Sequence, residues 1–146
     1  MKKTHFLLTK NPDTANTFFP NAFIGRLDGK KATHSKAFFE TIAVALQFPE
    51  ESGANLDALD EMLNDLDWID QEQVILVISN ANDWLSQEKS TDKVLTIIDI
   101  MDATAEDWKW MDEEEGVAKK ELKIILEDTP RIRTLLEEQE IPFGEL

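Results

Sequence analysis

Apolar positions along the chain follow two rhythms, short near-continuous runs and longer stretches with a period near 3.6, and these segments alternate. Ala22 to Asp28 reads as a first strand, closed by the turn dipeptide Asp28-Gly29. From Lys36 onward Phe38, Phe39, Ile42, Ala43 and Leu46 recur at helical spacing, with Ser35 as the expected N-cap and Pro49 barring continuation. Gly53 and Asn55 open a second helix, running to about Leu66, whose Leu56, Leu59, Leu63 and Leu66 form an apolar stripe. Gln73 to Ser79 is a continuous apolar run of strand length, the pattern of a strand covered on both faces.

A third helix is expected near Asn82 or Asp83, carrying Trp84 and Leu85. Ser90 or Thr91 caps a fourth, with Val94, Leu95, Ile97, Ile98 and Met101 inward. Glu121 to Leu126 reads as the last strand, and Thr129-Pro130 opens a short helix that Pro142 stops. Strands alternating with helices argue an α/β fold with a small parallel sheet. Residues 1–22, broken by Asn11-Pro12-Asp13 and Phe18-Phe19-Pro20-Asn21, read as an extension whose structure the pattern does not decide.

The chain has 146 residues, enough for one buried core, and a formal charge of −15. That charge repels phosphate backbones, and no Lys/Arg cluster is segregated from it, so direct nucleic-acid binding is not expected. There is no cysteine, which excludes disulfides and thiolate metal sites. Near the start only Phe6 to Leu8 are apolar where a signal peptide needs about 7–15 such residues, and no stretch approaches a membrane span. A cytoplasmic protein with no cofactor is therefore expected.

The charge is uneven. Residues 1–36 carry +5, residues 37–88 carry −12 with no Lys or Arg, and residues 89–146 carry −8. On the second helix Asp57, Asp60, Glu61 and Asp65 place four carboxylates opposite or beside the leucine stripe, with no base among them. Asp57–Glu61 and Glu61–Asp65 are like-charge i,i+4 pairs, each costing roughly 0.2–0.5 kcal/mol of helix stability. Asp65 also stands at the end where the helix dipole opposes it. The face is either a solvated acidic surface or a binding surface for a cationic partner.

The segment Phe48-Pro49-Glu50-Glu51-Ser52-Gly53-Ala54-Asn55-Leu56-Asp57-Ala58-Leu59-Asp60-Glu61-Met62-Leu63 resembles the signature of the barstar family of ribonuclease inhibitors. In words, that signature is Phe/Leu-Pro, an aromatic pair, Gly, any residue, Asn, an apolar residue, Asp-Ala-Leu-Trp-Asp, then two apolar residues. The likeness covers roughly residues 23–126 and implies a three-stranded parallel sheet packed with about four helices. Residues 1–22 and 127–146 then stand as N-terminal and C-terminal extensions, the latter helical.

For function the resemblance implies an inhibitor, not an enzyme, that inserts its second helix and the preceding loop into the basic active site of a ribonuclease. Carried over by position, Asp57 and Glu61 are the matched carboxylates, and Gly53 and Asn55 shape the loop. Glu61 replaces an Asp of the pattern and reaches one methylene further; Glu51 and Ser52 replace the aromatic pair, and Asp60 replaces the Trp. Those losses raise the alternative of a different basic toxin or nuclease as partner, because aromatic anchors often dominate interface energy. The resulting candidate surface is Glu51, Ser52, Gly53, Asn55, Asp57, Asp60, Glu61 and Asp65.

Other constellations are weaker. His5 and His34 are far apart, with no Ser/His/Asp pattern, and read as surface or capping histidines. Asp112 to Gly116 lacks the alternating ligand spacing of a calcium loop. Asp102 to Gly116, which holds Trp108 and Trp110, is either a partner-specific addition or a solvated loop.

Overall fold

A computed structural model describes residues 4–49, 53–110 and 120–146. Among these residues five strands form one parallel sheet: β1 (Phe6–Thr9), β2 (Phe23–Asp28), β3 (Gln73–Ser79), β4 (Glu121–Glu127) and β5 (Phe143–Glu145). Their spatial order is β2-β3-β4-β1-β5. Five α-helices accompany them: α1 (Ala15–Phe18), α2 (Ser35–Ala45), α3 (Leu56–Asp65), α4 (Thr91–Trp110) and α5 (Pro130–Glu138). The α/β class and parallel pairing agree with the sequence, but the sheet has five strands where three are expected. Both added strands come from the chain ends, so Glu121–Glu127 is not the last strand.

The pairing explains the run at residues 73–79. β3 is flanked by β2 and β4, with Val74 opposite Leu122 and Ile78 opposite Leu126. Val74, Leu76 and Ile78 join the large core beneath α2–α5, while Ile75 and Val77 join a smaller core on the other face. Ala15, Phe19 and Ala22 cover that second face. Connection direction accounts for this division: β2→β3, β3→β4 and β4→β5 all step one way across the sheet, whereas β1→β2 steps back. Right-handed crossovers therefore put α1 on the opposite face from the other helices. No helix among the described residues is long and apolar enough to cross a membrane.

Helix starts follow side-chain capping. Asn55 Oδ1 accepts from Ala58 N at 2.8 Å, Ser90 Oγ from Lys93 N at 3.2 Å and Thr129 Oγ1 from Ile132 N at 3.2 Å. The cap of α2 is His34, which accepts from Ala37 N, and not Ser35, whose N–H donates to Glu88 at 2.8 Å. α2 and α5 end in paired back-bonds. Phe48 N reaches Ala43 O and Gln47 N reaches Val44 O; likewise Ile141 N reaches Leu136 O and Glu140 N reaches Glu137 O. Gln47 and Glu140 take φ of 57° and 55° at these ends, the left-handed position usually filled by Gly.

Two further expectations are corrected. Residues 80–87 are turns and not a helix: Asn80 and Leu85 have positive φ, and the N–H groups of Leu85 and Gln87 reach across to Ala32 O and Thr33 O at 2.8 Å. Trp84 is fully buried there, edge-on to Phe38 at 5.5 Å. Residues 102–110 are the second half of α4 and not a loop. Trp108 is buried, and its Nε1 donates to Leu63 O at 2.8 Å, which joins α4 to the end of α3. Asp112–Gly116 lies outside the described residues.

Candidate binding surface

α3 is held from behind and open in front. Leu59, Leu63 and Leu66 are at most 1% exposed, and Asn55 fixes the first turn. At the other end Leu66 turns left-handed, closing the helix with its N–H on Met62 O. That leaves Leu63 O without a donor from its own helix, and Trp108 supplies one. Trp68 does the same for α2, donating to Leu46 O at 2.9 Å while packing edge-on to Phe48 at 5.8 Å. The loop before α3 thus leaves from an aromatic clasp between Phe48 and Trp68, which the spacing of residues in sequence gives no sign of.

Gly53, Asn55, Asp57, Asp60, Glu61 and Asp65 are all exposed. Glu51 and Ser52 lie outside the described residues. A Cβ at Gly53 would stand 3.1 Å from Asn55 Nδ2, tight against the side chain that caps α3. Asp60 accepts from Asn64 Nδ2 at 3.0 Å and Asp65 from Asp67 N at 3.3 Å, so both partly serve their own helix. Among the described residues, Asp57 and Glu61 have neither a side-chain hydrogen bond nor an ion pair. They are charge presented to solvent on a rigid element.

Folding adds what the sequence pattern concealed. A surface groove of about 520 Å³ runs between the first turns of α2, α3 and α4, and Asp57 lines it with Lys36 and Lys93. Neither lysine belongs to the base-free stretch 37–88, yet both reach the mouth of the acidic face. Beyond Phe39 a second, more apolar hollow of about 430 Å³ is bounded by Val44, Phe48, Pro49 and Gly53, with Val44 80% exposed.

Two other clusters lie apart from α3. His5 Nε2 bonds Glu106 Oε2 at 2.6 Å, next to Asp102, whose pKa burial raises against the opposing pull of His5. Asp102 is therefore a neighbour of β1 and not of the acidic face. Among the described residues no group of three or more His, Asp or Glu side chains could hold a metal ion.

At the carboxyl ends of β1, β4 and β5 a crevice of about 620 Å³ is lined by Thr9, Asn11, Thr14, Asp128, Arg133 and Glu145, among others. Ligands of open parallel sheets commonly bind at such ends. Here Arg133 is already clamped on Asp128 at 2.7 and 2.8 Å and paired with Glu145, which holds the Asp128 carboxyl below its usual range. The backbone after β1 is equally committed. Asn11 N donates to Thr9 Oγ1, Asp13 N to Asn11 Oδ1 and Thr14 N to Asn11 O, and Pro12 has no N–H. Among the described residues, these bonds occupy the N–H groups of residues 11, 13 and 14 that a phosphate there would draw on.

A solved structure of the Aeropyrum pernix ORC2 protein, in ADPNP–ADP complexes, superposes with a TM-score of 0.51 at 13% identity. The match covers 92% of this chain and 34% of that one, so the chain spans about a third of it, and the likeness is one of fold alone. A comparison with curated proteins gives no match. The family model of Barstar (barnase inhibitor) matches residues 22–127, well over half of the chain, from β2 through β4 with the acidic α3 between them, and the chain belongs to the barstar family.

Proposed function

We propose that this protein inhibits a basic ribonuclease, acting in the cytoplasm as an immunity protein, by laying the exposed face of α3 and the loop before it into the enzyme's phosphate-binding site. Asp57 and Glu61 stand in for substrate phosphates, Gly53 and Asn55 set the path of the loop that also holds Glu51 and Ser52, and Asp60 and Asp65 extend the field. The carrying observation is that Asp57 and Glu61 are exposed and unpaired on a helix locked from behind by buried leucines. Association steered by this face is fast at low salt and slows as salt screens it.

The test uses Asp57→Ala and Glu61→Ala. Free-protein stability is expected to stay within about 0.5 kcal/mol of wild type, because the carboxylates are exposed, their like-charge pairing is relieved, and at Asp57, in the first turn of α3, that relief is offset by lost dipole attraction. Loss of a desolvated charge pair from the complex costs about 2–5 kcal/mol, a magnitude drawn in part from the barnase–barstar pair itself, mainly as faster dissociation. The probes are barnase and ribonuclease A. Unchanged dissociation in both variants, or inhibition of neither enzyme by wild type, sinks the reading. One observation favours an enzyme other than barnase: Asp60, where the family pattern has Trp, is exposed and tied to Asn64. On that second reading the cognate enzyme is a basic nuclease of non-barnase type, and barnase dissociates quickly from the wild type.

A further inference from the structure

We propose that the ribonuclease surface met by this inhibitor bears a carboxylate that seats between Lys36 and Lys93, so that two cations, and not the acidic face alone, select the enzyme. The inference rests on the inhibitor reading above and adds a property of the partner.

Asp57 links the two parts. It stands on the acidic face of α3 and also lines the groove with Lys36 and Lys93, so a partner that covers Asp57 also covers the mouth of the groove. Lys36 is exposed, Lys93 is half-buried, and neither has an ion pair among the described residues. The nearby Glu88 carboxylate accepts from Ser35 N–H at 2.8 Å and attracts Lys93 without forming an ion pair with it, a weaker influence on Glu88 than Ser35 is.

The helix dipole of the free protein does not favour these lysines, although Lys93 attracts the Glu88 carboxylate. Each lies in the first turn of its helix, Lys36 in α2 and Lys93 in α4, where the helix dipole disfavours a cation. In a complex with a purely cationic surface both would be repelled, and any that were desolvated would be left uncompensated. A carboxylate among the enzyme's phosphate-binding cations removes the conflict, and a general base for RNA cleavage is a group of that kind. Phe39 and Leu56 in the groove wall offer apolar surface to its methylenes.

The experiment measures dissociation from whichever of barnase and ribonuclease A wild type inhibits, for Lys36→Glu/Lys93→Glu and Lys36→Met/Lys93→Met. The double Glu variant is expected to dissociate about tenfold faster or more, although it makes an acidic inhibitor more acidic. The Met variant falls between the two, and urea midpoints of the free variants are measured alongside, so that a change in folding is separated from a change in dissociation. Replacing the matching enzyme carboxylate by Lys restores binding to the Glu variant. Equal or slower dissociation of the Glu variant, the result that simple charge attraction predicts, overturns the inference. If Asp57→Ala and Glu61→Ala weaken binding while the lysine variants do not, only this inference fails; if neither set matters, the inhibitor reading fails with it.

Discussion

Trp108→Phe tests how α3 is held. The indole N–H of Trp108 meets Leu63 O at 2.8 Å in a site where the tryptophan is 5% exposed. No backbone N–H takes that carbonyl, because α3 has already closed through Leu66 N on Met62 O, and Asp67 N turns to Asp65. Removing the donor leaves a buried acceptor unsatisfied, at about 1–3 kcal/mol. The smaller ring adds roughly 1 kcal/mol for lost contacts and incomplete collapse. A total of about 2–4 kcal/mol corresponds to a fall in Tm of about 5–15 °C for a chain of this size. Urea unfolding should be followed by far-UV circular dichroism, since the substitution alters fluorescence, and the midpoint should drop with an unchanged slope. The folded fraction should keep its dissociation rate from the inhibited ribonuclease, because the indole supports α3 from behind. A loss under about 0.5 kcal/mol would show that the α3–α4 joint does not depend on this bond.

Two predictions concern the free protein. Gln47→Gly and Glu140→Gly relieve non-glycine residues at φ of 57° and 55°, and each should stabilise by about 0.5–1 kcal/mol in urea titrations, the relief being partly offset by greater freedom in the unfolded chain. Asp102 has its pKa raised from the ordinary 3.8 chiefly by burial, so its stabilising influence is full below that value and lost as pH rises through the folded value. Asp102→Asn should therefore gain on wild type between acid and neutral pH, as read from urea midpoints; an offset constant with pH would refute the assignment.

The parts of the fold legible in sequence are those whose pattern is dictated by burial in long elements. The run at 73–79 is apolar throughout because both faces of β3 are covered, and the stripe on α3 has one buried side. β1 and β5 escaped because they have four and three residues, and β5 contains Gly144, so neither offers a period to count. Parallel strands also take their partners from far along the chain: Phe6 pairs with both Ile124 and Phe143. The helix expected near Asn82 failed for a related reason. Its apolar Trp84 and Leu85 are buried, but by turns whose N–H groups bond to residues 32 and 33, a tertiary choice that local spacing does not encode.

The candidate surface shows the same limit in its charges. The acids of α3 are visible in sequence because one helix carries them all, and their mutual repulsion can be judged from i,i+4 spacing alone. Lys36 and Lys93 become relevant only when the first turns of α2 and α4 are brought beside Asp57, across 21 and 36 positions of chain. The base-free stretch 37–88 is therefore acidic as a sequence but borders two cations as a surface. Asp57 and Glu61 consequently stand in different settings, although the sequence presents them as equivalent: Asp57 lines the groove with both lysines, and Glu61 does not. A field with a cation at one side of an acidic face discriminates among basic partners better than a uniform one, because a partner must match the change of sign as well as the dominant charge.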